Sequence, residues 1–283
     1  MACSRPSLPT LLVLLLGIAL LAAEPARGDL DEGTTDDFLP ARYARKFAFH
    51  EPLYFSLGWR GGTSARFQLS FRYRFFGADD PANPGDLFAG HLWFGYTQTS
   101  LWDIAAQSSP FRDTSYRPSL FWLKRDIGAH RLGFRRVGLA AGLEHESNGR
   151  DGEFSRSLNV VFVRPILVLG ETRGYTWTFS PKLYAYVGDL SDNPDIAGYR
   201  GYADLLLEVE KPDSWGFALL GRRGTTGHHG SLQLDVSYPL DRILGGRIDS
   251  YAHLQVFWGW GESLLDYDRK GPTQVRLGLM LVR

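Results

Sequence analysis

Residues Arg66 to Phe75 read RFQLSFRYRF and alternate without a fault. Phe67, Leu69, Phe71, Tyr73 and Phe75 fall on one face of an extended strand; Arg66, Gln68, Ser70, Arg72 and Arg74 fall on the other. Strand side chains repeat every two residues, so the two sets point to opposite sides of any sheet. The rhythm returns at Tyr175–Val187, Ala203–Val209, Leu232–Tyr238 and Val275–Leu281. Runs of roughly ten residues have the length that crosses a bilayer at a tilt. Twelve are counted, near 52–59, 66–77, 88–99, 115–124, 133–147, 156–168, 175–188, 199–211, 214–223, 230–239, 247–260 and 272–283. An even number closes an antiparallel barrel with both termini on one side of the membrane. The predicted fold is therefore all-β, a twelve-stranded antiparallel transmembrane β-barrel occupying 29–283. Arg or Lys facing lipid at mid-bilayer costs about 2–4 kcal/mol, so the charged faces point inward. Twelve strands leave a lumen narrow enough for those side chains to fill.

Composition agrees with an exported membrane barrel. Arg5 precedes a short apolar stretch, Leu11 to Ala23, and Ala26-Arg27-Gly28 offers small residues for cleavage. Residues 1–28 read as a signal peptide rather than a spanning helix. The one cysteine, Cys3, lies in that segment, which leaves no disulfide or thiol chemistry in the mature chain. Formal net charge is zero, which points away from nucleic acid. Asp29 to about Phe49 is charged and irregular, and 29–50 is expected to lie outside the barrel strands. The 8 Trp, 13 Tyr and 18 Phe suit interfacial aromatic girdles, to which Trp258 and Trp260 are assigned. His228 and His229 sit in a Gly-rich turn and read as solvent loop.

One strand breaks the pattern. Val137, Leu139, Ala141 and Leu143 share an apolar face, and the same count places His145 and Ser147 at its end. A base and a hydroxyl pointing toward lipid suggest a nucleophile and its general base. Residues two apart in a flat strand are too distant for a good hydrogen bond, so the strand must twist or stop there. Asn148–Gly149 supplies the stop. Asn159, early in the next run, is placed to accept the other imidazole proton. A neutral amide in that role avoids the desolvation cost that a carboxylate would carry at a lipid-facing site.

The stretch H-E-S-N-G-R, followed by S-R-S-L-N, resembles the signature of bacterial outer membrane phospholipase A. Further segments match in order: Tyr96-Thr97-Gln98, Ser108–Arg112, Asp192–Ile196 and Gly261–Tyr267. The resemblance implies a twelve-stranded barrel hydrolysing acyl esters of phospholipids and lysophospholipids through Ser147, His145 and Asn159. It implies calcium, held by the backbone oxygen of Arg150, by Ser155 and, across a homodimer, by Ser108. A backbone N–H in the Asn148–Gly149 turn would complete an oxyanion hole. Asp151 and Glu153, in the same loop, read as solvated charges, the alternative being that one of them strengthens calcium binding. The family ends on an aromatic residue, whereas this chain has Arg283. Gln98, outward-facing on an apolar stripe, would lose its amide hydrogen bonds in hydrocarbon and find them in a two-fold dimer. The competing readings are a non-enzymatic barrel, channel or structural, and a soluble ligand-binding barrel.

Overall fold

The protein is described from a computed structural model that covers residues 46–58, 64–76, 88–128, 133–171, 173–245 and 249–283. The signal-like segment and most of the 29–50 stretch lie outside the described residues.

The strands are β1 (Phe47–Ala48), β2 (Leu53–Gly58), β3 (Ser64–Arg74), β4 (Leu92–Trp102), β5 (Phe111–Lys124), β6 (Arg136–Ser147) and β7 (Ser157–Gly170). They continue with β8 (Thr176–Val187), β9 (Ala203–Glu210), β10 (Gly216–Arg223), β11 (Gly230–Pro239), β12 (Tyr251–Gly259) and β13 (Gln274–Val282). Each of β2 to β13 pairs antiparallel with its chain neighbours, and β13 pairs back onto β2. The result is a closed twelve-stranded barrel. The thirteenth strand, β1, is a two-residue stub lying against Arg72 and Tyr73 of β3.

Between β1 and β2 the chain leaves the ladder, and Glu51 lines the lumen. Its carboxylate accepts Arg117 Nη2 at 2.6 Å, and its N–H donates to Ser70 Oγ at 3.0 Å. The stretch expected to be irregular thus ends in an anchored segment. Two further boundaries differ from the sequence reading. The run expected at 199–211 begins with helix α1 (Ile196–Arg200), and strand starts only at Ala203. Gly201 ends that helix at φ 68, where a Cβ would stand 2.0 Å from the Arg223 carbonyl oxygen. The fourth run starts earlier, at Phe111 instead of 115, so β5 reaches further up the wall.

The alternation sorts as charge requires. Leu69, Leu143, Trp177, Leu205 and Leu277 are exposed on the outer wall. Inside, Lys182 meets Glu144 at 2.6 Å and Arg200 meets Glu146 at 2.8 Å. Asp204 takes both Nε and Nη2 of Arg222, at 2.8 and 2.9 Å. His253 bridges Ser56 and Asp235 at 2.8 and 2.9 Å. These pairs fill the lumen down to a cavity of about 210 Å³. Leu264 and Ile196, from the loops after β12 and β8, are fully buried against the apolar inner residues Trp93, Phe121 and Phe162. Arg283 is tied down at the end of β13. It donates to the carbonyls of Ser214 and Lys211 and stacks on Tyr251 at 4.6 Å.

Removing one member of a buried pair strands the other's charge, which costs about 3–5 kcal/mol. Glu144→Ala is therefore expected to lower the unfolding free energy by about that amount. Replacing Glu144 and Lys182 together with Met is expected to recover most of it. Urea unfolding in lipid vesicles measures both. A double variant no more stable than the single would contradict the pairing.

Candidate active site on the outer wall of the barrel

Two adjacent strands build the site. In the β6–β7 ladder His145 lies opposite Asn159, and Ser147 lies opposite Ser157. This register turns a separation of fourteen residues into contact: His145 Nδ1 and Asn159 Oδ1 are 2.9 Å apart. Asn159 is exposed and its inward neighbours Leu158 and Val160 are buried, so the pair sits on the outer wall. β6 ends at Ser147, where the sequence calls for a stop. Among the described residues no hydrogen bond joins Ser147 to His145.

β5 flanks the site on the other side. Tyr116 pairs with Ser147, and Ser119 pairs with Glu144, but the two positions between them are unpaired. Pro118 explains the gap. It faces His145 by register and has no N–H to donate.

The loop after β6 folds around Asn148, which is buried. Its Oδ1 accepts the N–H groups of Arg150 (3.3 Å) and Arg156 (3.0 Å), and its Nδ2 donates to the Phe154 carbonyl (2.9 Å). Sequence reasoning read Asn148 only as a turn former. The signal for this wider role is the short polar loop itself, whose backbone groups need a partner where strand pairing ends.

The three expected calcium ligands occupy this end of the barrel. Ser155 Oγ donates to Asp192 Oδ2 at 2.7 Å, so a carboxylate stands beside the Ser155 hydroxyl. In the sequence Asp192 stands out only as the start of the matching segment Asp192–Ile196, which does not reveal that contact. Arg150 is fixed by its guanidinium, which donates to the Phe111 and Arg112 carbonyls. Ser108 is exposed in the loop between β4 and β5, and it and Ser109 both have positive φ, 66° and 42°. Such backbone costs about 1–3 kcal/mol per residue and persists only where neighbours hold it. Here Ser109 Oγ donates to the Ile104 carbonyl, and Trp102 Nε1 donates to the Ser109 carbonyl. Asp151 and Glu153 are exposed, and among the described residues neither side chain has a hydrogen-bond or ion-pair partner. Among the described residues there is no group of three or more His, Cys, Asp or Glu suited to a metal. Any cation here would be bound by hydroxyl and carbonyl oxygens, aided by Asp192.

Gln98 departs from expectation. Its amide is not alone on the outer wall: Tyr96 OH donates to Oε1 at 3.1 Å, and Nε2 donates to Ser100 Oγ at 3.3 Å. Ser100 continues to Thr114 at 3.0 Å. A line of outward polar groups thus runs along β4 to β5, ending beside Tyr116 and Ser147.

A family model described as phospholipase A1 matches residues 50–281. The chain belongs to the phospholipase A1 family. Phospholipase A1 of Klebsiella pneumoniae and of Escherichia coli K12 are each 35% identical over 207 residues, 67% of this chain and 62% of theirs. The chain therefore spans less than two thirds of the length of these relatives. Among solved structures, outer membrane phospholipase A from Escherichia coli superposes with a TM-score of 0.70 at 26% identity, over 87% of this chain and 94% of that one. An alanine variant of an active-site asparagine in the same protein gives 0.69 at 25% identity, over the same shares. A calcium-bound dimer from Salmonella typhi shares the fold, with a TM-score of 0.71 over 93% of this chain and 96% of that one, at 24% identity. This phospholipase A1 family member is an outer-membrane barrel.

Gly142 is a local constraint that the site inherits. It lies on β6 three residues before His145, and a Cβ there would stand 2.3 Å from the Leu120 carbonyl oxygen and 2.6 Å from Phe121 Cα. Gly142→Ala is expected to force β5 from β6 and to destabilise the barrel by about 3 kcal/mol. Unfolding in lipid vesicles reads this directly, and an unchanged midpoint would contradict the close approach.

Proposed function

We propose that the protein is a calcium-dependent outer-membrane serine hydrolase that cleaves acyl esters of phospholipids and lysophospholipids, at either acyl position. The observation that carries this reading is the 2.9 Å contact between His145 Nδ1 and Asn159 Oδ1 on the lipid-facing wall, two residues from Ser147. The asparagine oxygen accepts Nδ1–H, which fixes the tautomer that leaves Nε2 free as a base. Ser147 Oγ attacks the ester carbonyl carbon while its proton passes to His145 Nε2. The imidazolium then gives that proton to the departing glycerol oxygen, leaving an acyl-serine. Water attacks the acyl group with His145 again as base, and fatty acid and free Ser147 are regenerated. The Ser147–His145 bond need not be made beforehand, because such bonds commonly tighten only with substrate. An active-site asparagine in the Escherichia coli relative supports the role of Asn159.

The donor set fits a hard cation. The Arg150 carbonyl and the Ser155 hydroxyl would hold calcium, with Asp192 adjacent and Ser108 contributed from a second copy. Calcium supplies, when bound, positive charge for the developing oxyanion. The Gly149 N–H, which the loop's own backbone bonds leave unengaged, would face the same oxygen. Homodimerisation is supported by the calcium-bound dimer of the Salmonella typhi relative. The Gln98 line would form part of the buried face.

Ser147→Ala is expected to abolish fatty-acid release with the barrel intact, and His145→Ala to lose more turnover than Asn159→Ala, because His145 moves the proton. Release assays in mixed micelles decide this; residual Ser147→Ala activity above trace removes the nucleophile assignment. Calcium and dimerisation should strengthen each other. Sedimentation in detergent, with calcium or chelator, is expected to show a dimer only with calcium, and weaker association for Gln98→Ala. A fully active calcium-free monomer would contradict the shared site.

A further inference from the structure

The loop after β12, Gly261–Tyr267, has no role in the reaction above, yet it touches both ends of the Arg150–Arg156 segment. At one end it works through the top of β5. Asp266 receives Arg112 Nε and Nη2 on its two oxygens, each at 3.0 Å. The carbonyl of the same Arg112 accepts Arg150 Nη2. Next to it, buried Asp113 accepts the Leu265 N–H on Oδ2 at 2.9 Å, while its Oδ1 lies 4.0 Å from Arg150 Nε. At the other end the contact is direct. The Tyr267 ring lies under the Arg156 guanidinium at 5.8 Å, and its hydroxyl donates to Asp195 Oδ1 at 2.5 Å. Asp195 stands two residues from Asn193, which is fully buried and accepts the Ser157 N–H at 3.0 Å, and three from Asp192, which holds Ser155.

We propose that Asp266 and Tyr267 are positioning residues: they brace the Arg150–Arg156 segment from both ends and so set its affinity for calcium. The inference rests on the calcium reading above. Neither residue is offered as a ligand. An exposed ion pair contributes little by itself. Here the pair is bidentate, and Asp113 backs it from the buried side. A loop already held in its binding geometry loses less freedom when a ligand arrives. Leu264, fully buried below, gives the brace a fixed footing in the lumen.

The test uses the full barrel in detergent micelles and has two arms. Hydrogen exchange at residues 149–156, measured by mass spectrometry in chelator, is expected to quicken about tenfold in Asp266→Asn and in Tyr267→Phe. Calorimetric titration with calcium chloride is expected to give about tenfold weaker binding in the same variants. The calcium concentration for half-maximal activity should rise in step, with a plateau rate near that of the parent. The charge-swapped pair, Arg112→Asp with Asp266→Arg, is expected to restore most of both readouts. Unchanged exchange overturns the brace whatever calcium does. Faster exchange with unchanged calcium affinity overturns its role in binding. A parent that binds no calcium, but whose variants exchange faster, fails the calcium reading and this role with it, while leaving the contacts standing.

Discussion

Charge cannot face hydrocarbon without cost, and in this barrel every other feature follows from where the charge is put. Away from the strand ends, the Arg, Lys, Glu and Asp of the strands point to the lumen. There they neutralise one another, as in Lys182 with Glu144, Arg200 with Glu146 and Arg222 with Asp204. The outer wall is then free to be Leu, Val, Phe and Trp. Against that background, three polar groups at the outward end of β6 and β7 are conspicuous because they break the rule. They break it near the wall's rim, where the strand ends and a polar loop begins.

In the lumen, ion pairs and apolar plugs from two loops surround a cavity of about 210 Å³. On the proposed reading the chemistry lies on the outside, where a lipid ester would reach it from within the bilayer. Rigidity comes from the ladder: His145 and Asn159 pair directly across β6 and β7, while on the β5 side the ladder is interrupted opposite His145, where Pro118 stands.

Much of this was legible from residues alone. Alternation in Arg66–Phe75 and its repeats gives the strands, the count and the inward face, because a period of two leaves no other assignment. His145 and Ser147 stand out because a polar side chain at an apolar position is a local contradiction, and Asn159 enters by its place early in the next run. What sequence could not supply is contact between distant segments. Asn148 reads as a turn former, and its three hydrogen bonds appear only when Phe154 and Arg156 fold back on it. Asp192 is only the start of a matching segment until β7 and the loop after β8 bring it to Ser155. Gln98 was read as an isolated amide because its partners, Tyr96 and Ser100, lie two residues either way along the same face, a relation that alternation implies but that only rotamers complete. Helix α1 overlaps the first residues of an expected strand and escapes notice because five residues are too few to establish a period.

The central claim is that Ser147 is an activated nucleophile on the lipid-facing wall. A fluorophosphonate probe with a long alkyl tail tests it directly, because it modifies a serine only where a base activates the hydroxyl. Peptide mass spectrometry after labelling in micelles with calcium is expected to find one adduct, on Ser147, and to find it strongly reduced in chelator. Labelling of another serine, or none under conditions where the parent hydrolyses phospholipid, would contradict the account.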